Sequence, residues 1–139
     1  MILYTQKNSS GVTLITYKER EIGAHYSDRL QSYDECKIVR IMRGRGVWLI
    51  NGGRFPFEKD DIFLFSFCDV RRLEETAGEI KIEQVNFIPL TIHPHGHCAD
   101  IFFLRTKDFS NKINNKTGSS ELCVCFDKLR GYAENKELL

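Results

Sequence analysis

The chain has 139 residues, 42% of them hydrophobic and 28% charged, and its 20 basic and 19 acidic residues leave a formal net charge of +1. That is the composition of one globular domain with a proper core, and it lacks the basic excess or stripe of a nucleic-acid binder. No apolar run reaches the roughly 20 residues that span a bilayer, and the opening MILYTQKNSS lacks the basic-then-apolar layout of a signal peptide. Five cysteines, Cys36, Cys68, Cys98, Cys123 and Cys125, are an odd and scattered set. They predict reduced thiols and a cytoplasmic location, not a disulfide framework.

In chain order, Met1 to Gln6 and Val12 to Tyr17 are expected strands joined by a turn at Asn8-Ser9-Ser10-Gly11. Lys18 to Gln31 is polar and mixed, and is expected to be irregular. The stretch from Lys37 to Phe67 then predicts four short strands. Lys37 to Arg43 is rich in β-branched residues and is broken by Gly44-Arg45-Gly46. Val47 to Ile50 runs into Asn51-Gly52, which suits a two-residue type I′ turn because both residues tolerate positive φ. Arg54 to Phe57 carries Pro56, the mark of a sheet edge. Lys59-Asp60-Asp61 turns the chain into Ile62 to Phe67. Cys68 to Gly78 is charged and is expected to be a solvated loop. Ile80 to Ile88 alternates apolar and polar residues as a half-buried strand with room for one bulge.

Beyond Pro89 lies a histidine-dense loop, TIHPHGHCAD, from Thr91 to Asp100. Ile101 to Ile113 has apolar spacing compatible with a helix, and Asn114 to Ser120 is a polar connector with Ser119 or Ser120 as helix N-cap. Leu122, Phe126, Leu129 and Ala133 then recur at spacings of four, three and four, one apolar stripe. Short, evenly spaced strands followed by helices predict a mainly β protein, a sandwich or barrel. Residues 1–100 are expected to form the barrel, and 101–139 a helical segment packed on it or pairing two subunits.

Arg43-Gly44-Arg45-Gly46, Asn51-Gly52-Gly53 and Asp60-Asp61-Ile62-Phe63-Leu64-Phe65 together resemble the barrel of the cupin superfamily, above all the N-terminal sensor domain of AraC-type transcription regulators. The resemblance covers the middle half of the chain. It implies a double-stranded β-helix (jelly-roll barrel) followed by one or two C-terminal helices that dimerise the protein. It also implies a small-molecule effector inside the barrel, and DNA contact only through a C-terminal helix-turn-helix domain of roughly 100 further residues, which is absent here.

Metal-dependent cupins use a His-x-His, a Glu and a later His. Counted from Gly44 and Asp61, those places fall on Tyr33, Glu35, Lys37 and near Arg71. Lysine and arginine repel a cation, and the alternative register at His25 fails at Ser27, so no metal or cofactor is expected there. Tyr33, Glu35 and Lys37 share strand parity. With Arg71 and Trp48 they are the candidate ligand-binding residues of a mixed polar and aromatic pocket. Two cations suit a carboxylate or phosphate, and Trp48 suits a sugar or aromatic ring. The bland alternative puts Glu35 and Lys37 at an exposed rim and Trp48 in plain core.

His93, His95 and His97 with Cys98 are a weaker candidate for a metal, in a spacing that matches no familiar zinc signature. Cys123 and Cys125, two apart on a helix, are expected packing residues. The expected function is therefore effector sensing and dimerisation in an AraC-type regulator, without enzymatic activity. The rival expectations are a small metal-independent cupin isomerase or epimerase, using His25 with Tyr33, and a ligand-free dimerisation module filled by Phe63 and Phe65.

Overall fold

A computed structural model of the chain describes residues 2–7, 9–11, 13–22, 35–88, 105, 109–113 and 116–135. The strands are β1 (Ile2–Lys7), β2 (Thr13–Ile22), β3 (Cys36–Ile50), β4 (Gly53–Phe57), β5 (Ile62–Phe65), β6 (Arg71–Phe87) and β7 (Lys112–Ile113), and the helix α1 spans Lys116–Glu134. Every pairing is antiparallel. The sheet runs β1-β2-β6-β3-β5-β7, and β4 pairs with β3 beside β5. It is mainly β with one helix among the described residues, where the sequence led us to expect one or two.

Two of the expected strands prove to be one. β3 runs unbroken through Gly44-Arg45-Gly46, because Gly44 is the site of a bulge and not of a turn. Its φ is +100°, and a Cβ there would stand 2.7 Å from the Glu79 carbonyl oxygen. The register against β6 slips between Ile41 and Arg43, again before Arg45 and a third time between Val47 and Trp48. The alternation therefore changes phase. Val39 and Ile41 enter the core from one half of the strand, and Trp48 and Ile50 from the other. On β6, Leu73 and Ile82 enter the same core on either side of Gly78, whose φ is +78°.

The same pairing converts the expected charged loop into strand. Arg71, Arg72 and Leu73 lie opposite Ile50, Leu49 and Trp48. Leu73 is buried, and Glu74 accepts a hydrogen bond from Arg54 Nη1 at 3.0 Å. Only alternate residues needed to be apolar, so a charged run was compatible with a strand. Lys18 to Ile22, expected to be irregular, continues β2 against β6. Lys112 and Ile113, expected in a helix, pair with Phe63 and Ile62. The helix begins at Lys116, so Ser119 and Ser120 lie inside it and neither is its N-cap. The Asn51-Gly52 turn has φ of 51° and 87°, as a type I′ turn requires.

One face of the sheet holds an aromatic core in which Trp48 meets Phe57, Phe63 and Phe65 with ring centroids 5.3, 4.9 and 5.1 Å away. α1 covers the other face. Phe126 is buried against Tyr17 and Ile62, with Leu122, Leu129 and Ala133 packed around them, so the apolar stripe lies on its own sheet. A buried ionic network joins the two. Glu83, fully buried, accepts from Tyr17 Oη, from Arg40 Nη1 at 3.0 Å and from Arg130 Nη2 at 2.6 Å, while Arg40 also reaches Asp127 of α1 at 2.6 Å. Burial would lower the Arg40 guanidinium, but its bonds to Asp127, Asp60 and Glu83 outweigh that and hold it above its usual range.

Gly44→Ala should lower the stability in thermal or urea unfolding by about 1–3 kcal/mol, the cost of a forced backbone conformation. Gly131→Ala, in α1 with nothing within 4 Å of the added methyl, should instead raise it by up to about 1 kcal/mol through helix propensity. Equal effects at both positions would remove the bulge as a determinant of the fold.

Candidate functional site

Inner-face alternation sets the site. Before the bulge, β3 turns Lys37, Val39 and Ile41 toward the core, and Lys37 lies between Phe65 of β5 and Asn86 of β6. Across β6 the same face carries Gln84, and beyond it β2 brings Thr16, Lys18 and Arg20 opposite Asn86, Gln84 and Ile82. Gln84 Nε2 donates to Asn86 Oδ1 at 2.6 Å, and both amides are buried. Arg71, at the start of β6, places its guanidinium carbon 3.8 Å above the centre of the Phe65 ring, a cation–π contact. A polar and cationic end thus caps an otherwise aromatic core.

Lys37 is 3% exposed. Burial pushes its ammonium down to about 7, and Arg71, Lys18 and Arg20 push the same way against the opposing field of Glu35.

Of the residues predicted to bind a ligand, Lys37 and Arg71 meet at Phe65, and Trp48 touches the same ring from below. Glu35 sits half-buried just ahead of β3. Tyr33 lies outside the described residues. Trp48 is only 6% exposed and closed in by phenylalanines, so it lines the floor as core and presents no open stacking face. The sequence reading missed Lys18 and Arg20, because their strand was taken as irregular, and Gln84 and Asn86, taken as the solvent side of β6. Parity with Ile80 and Ile82 was the available signal for the two amides.

Lys37 and Arg71 are basic side chains at the positions where the sequence count put two of the metal-ligand places. Among the described residues no group of three or more His, Cys, Asp or Glu side chains could hold a metal. His25, His93, His95, His97 and Cys98 lie outside the described residues. Cys123 is half-buried against α1's own sheet, as expected for packing, whereas Cys125 is exposed.

A second buried polar group is structural. Asp69 accepts from Ser66 N at 2.8 Å, Asn51 Nδ2 at 2.7 Å and Arg105 Nη2 at 2.7 Å. Burial alone would raise its carboxyl; these partners hold it below the usual range. It ties the β5–β6 turn to the β3–β4 hairpin.

No protein-family model matches the chain, and no curated protein matches it in sequence. Solved structures do match in fold. The cupin domain of Schizosaccharomyces pombe Cnp3 superposes with a TM-score of 0.50 at 12% identity over 67% of this chain and 69% of that one. A cupin superfamily protein from Desulfitobacterium hafniense gives 0.49 at 13% identity over 61% and 74%. A mutant of salicylate 1,2-dioxygenase from Pseudoaminobacter salicylatoxidans gives 0.48 at 15% identity over 60% and 24%. The chain has the cupin fold. Its neighbours in fold include enzymes, that dioxygenase and a predicted oxalate decarboxylase from Thermotoga maritima among them. The expectation of no enzymatic activity is withdrawn, since the fold is one that enzymes share. No described helix is long and apolar enough to cross a membrane.

The lowered Lys37 value has a definite sign in unfolding. Between about 7 and the ordinary lysine value of 10.5 the unfolded chain binds the extra proton, so stability rises with pH across that window. Lys37→Met should flatten this slope and raise the melting temperature most at pH 7 and below. A wild-type stability that is level or falling between pH 7 and 9, with the same profile in Lys37→Met, would place the amine in water.

Proposed function

We propose that the barrel interior is the ligand site of an effector-sensing and dimerisation domain of the AraC type. The observation that carries this reading is the convergence of Lys37, Arg71, Gln84 and Asn86 on one end of an aromatic core. Ligand sites combine an apolar lining with a few orienting polar groups. The sequence resemblance supplies the regulatory context, with DNA contacted through a further domain and a cytoplasm that keeps Cys36, Cys68, Cys123 and Cys125 as free thiols.

The sheet offers a route from ligand to helix. Lys37 and Gln84 face the interior, and their near neighbours Arg40 and Glu83 face outward to Asp127 and Arg130 of α1. A shift of β3 or β6 on ligand binding therefore acts on the buried pairs that seat the helix. Couplings of this kind are typically worth about 1–3 kcal/mol. The outer face of α1 exposes Val124 by 52% and Tyr132 by 45%, and these are the contacts for a second copy.

One observation favours a second reading, a metal-independent cupin isomerase or epimerase. An enclosed amine held near neutrality is suited to accept and return a proton.

Light scattering at micromolar concentration should give twice the 16.2 kDa chain mass, and Val124→Glu with Tyr132→Glu should return it to the monomer without unfolding. A panel of sugars and organic acids should contain compounds that raise the melting temperature without being consumed. A monomeric wild type removes the dimer, a panel with no stabilising compound removes the sensor, and turnover of a stabilising compound selects the enzyme.

A further inference from the structure

The sheet brings two thiols to one hydroxyl group at the start of β3. The ladder between β3 and β5 pairs Ile38 with Leu64 and Lys37 with Phe65, so the next step sets Cys36 opposite Ser66. Residues opposite one another in an antiparallel pair turn to the same face, with Cβ atoms roughly 5 Å apart. Cys36 is fully buried on that face, packed with Leu64 and Phe87. Ser66 is buried too, and its Oγ lies 2.8 Å from Sγ of Cys68, which is exposed. The turn between them is held at both ends. Asp69 N donates to the Ser66 carbonyl at 3.1 Å, and Ser66 N donates to Asp69 Oδ2 at 2.8 Å. Cys36 also shares a hydrogen bond with the backbone of Phe67, the residue before Cys68.

Arg105 completes the cluster. Its Nη2 donates to Ser66 Oγ at 2.9 Å and to Asp69 Oδ2 at 2.7 Å, and both sulfurs act on its guanidinium. The other described cysteines lie elsewhere. Cys123 reaches the Asp60 carbonyl and Cys125 is exposed on the same helix, two residues apart and so on different faces.

We propose that Cys36 and Cys68 form a redox pair, in which Cys68 reacts with peroxide and Cys36 resolves the product into a disulfide. The pair stands independently of the reading of the barrel interior as a ligand site.

The division of roles follows from exposure. A dissolved oxidant reaches Cys68 and not Cys36. Burial pushes the Cys36 thiol up to about 11, which keeps it protonated and inert toward bulk reagents. The Cys68 thiolate attacks one oxygen of hydrogen peroxide, the O–O bond breaks, and a sulfenic acid forms as the other oxygen leaves as water. The Cys36 sulfur then attacks the Cys68 sulfur. The S–O bond breaks, and the hydroxide departs with the Cys36 proton as a second water. Two thiols have lost two electrons and the peroxide has gained them. Exposed thiols next to a resolving cysteine are those that oxidise selectively, and in a reducing compartment such bonds are transient and redox-sensing. The new bond ties the first residue of β3 to the β5–β6 turn until a dithiol reductant exchanges it away.

The reduced chain has five thiols. One equivalent of hydrogen peroxide should remove two of them and lower the mass by two hydrogens. A non-reducing digest should then contain one linked peptide pair, Cys36 to Cys68, and dithiothreitol should restore both thiols. Cys68→Ser should leave Cys36 reduced under the same treatment. Cys36→Ser should stop at the sulfenic acid, which dimedone traps on Cys68. Should either variant not fold, the wild-type digest decides alone.

Unchanged thiols, a link between other cysteines, or disulfides formed only between chains overturn the proposal. So does oxidation of Cys36 that persists in Cys68→Ser, because Cys36 would then react without its partner. Capture of wild-type Cys68 by dimedone with Cys36 still reduced leaves an exposed thiol without a resolving one, and overturns it as well.

Discussion

A flat strand can offer only every second side chain to one core, yet β3 contributes Val39 and Ile41 from one half and Trp48 and Ile50 from the other. The change of phase at Gly44 makes that possible, and the close approach of β3 to Glu79 and Ile80 leaves no room for a Cβ at that point. Everything distinctive about the interior depends on it. With the phase unbroken, either Lys37 would face away from the aromatic core or Trp48 would, and the cationic end and apolar floor would lie on opposite sides of the sheet. The bulge also lets β3 hold β6 along its whole length while passing from β5 to β4 on its other side.

Because β3 and β6 are covered on both faces, neighbouring residues have opposite duties. Lys37, Gln84 and Asn86 belong to the interior; Ile38, Glu83 and Val85 meet α1 or the apolar layer beside it. The outward charges are balanced, with Glu83 held by Arg40 and Arg130 and with Asp127 and Asp60 closing on Arg40. Removing Glu83, the fully buried member, costs about 3–5 kcal/mol, since it strands Arg40 and Arg130. The inward set instead gathers several cations around Lys37 against the field of Glu35. Asp69 and Glu83 each arrive with their counter-charges.

Much of the architecture was legible from local chemistry. Asn51-Gly52 specified its hairpin through the positive φ of both residues, Pro56 marked an edge strand, and the Leu122, Phe126, Leu129 and Ala133 stripe named the buried side of α1. Lys37, Arg71 and Trp48 were singled out as pocket residues; Arg71 and Trp48 both contact the Phe65 ring, and Lys37 pairs with Phe65 across the strands. Where the reading failed, a local signal had two physical meanings. Glycine breaks a strand or bulges it; a charged run is a loop or one exposed face of a strand. Only the partner strand decides between them.

By itself, then, the order of residues determined the mainly β class, the Asn51-Gly52 turn and the apolar stripe of α1, because those follow from backbone sterics and periodicity within a few residues. Which face each strand showed to the core, and so which charges met, was decided by the tertiary structure. Cross-strand register is long-range: Lys37 finds Asn86 and Phe65, and β2 brings Lys18 and Arg20 alongside, only once the sheet has formed. A lysine's pKa, its enclosure and the repulsion that surrounds it are properties of that assembled space, and no window of sequence contains them.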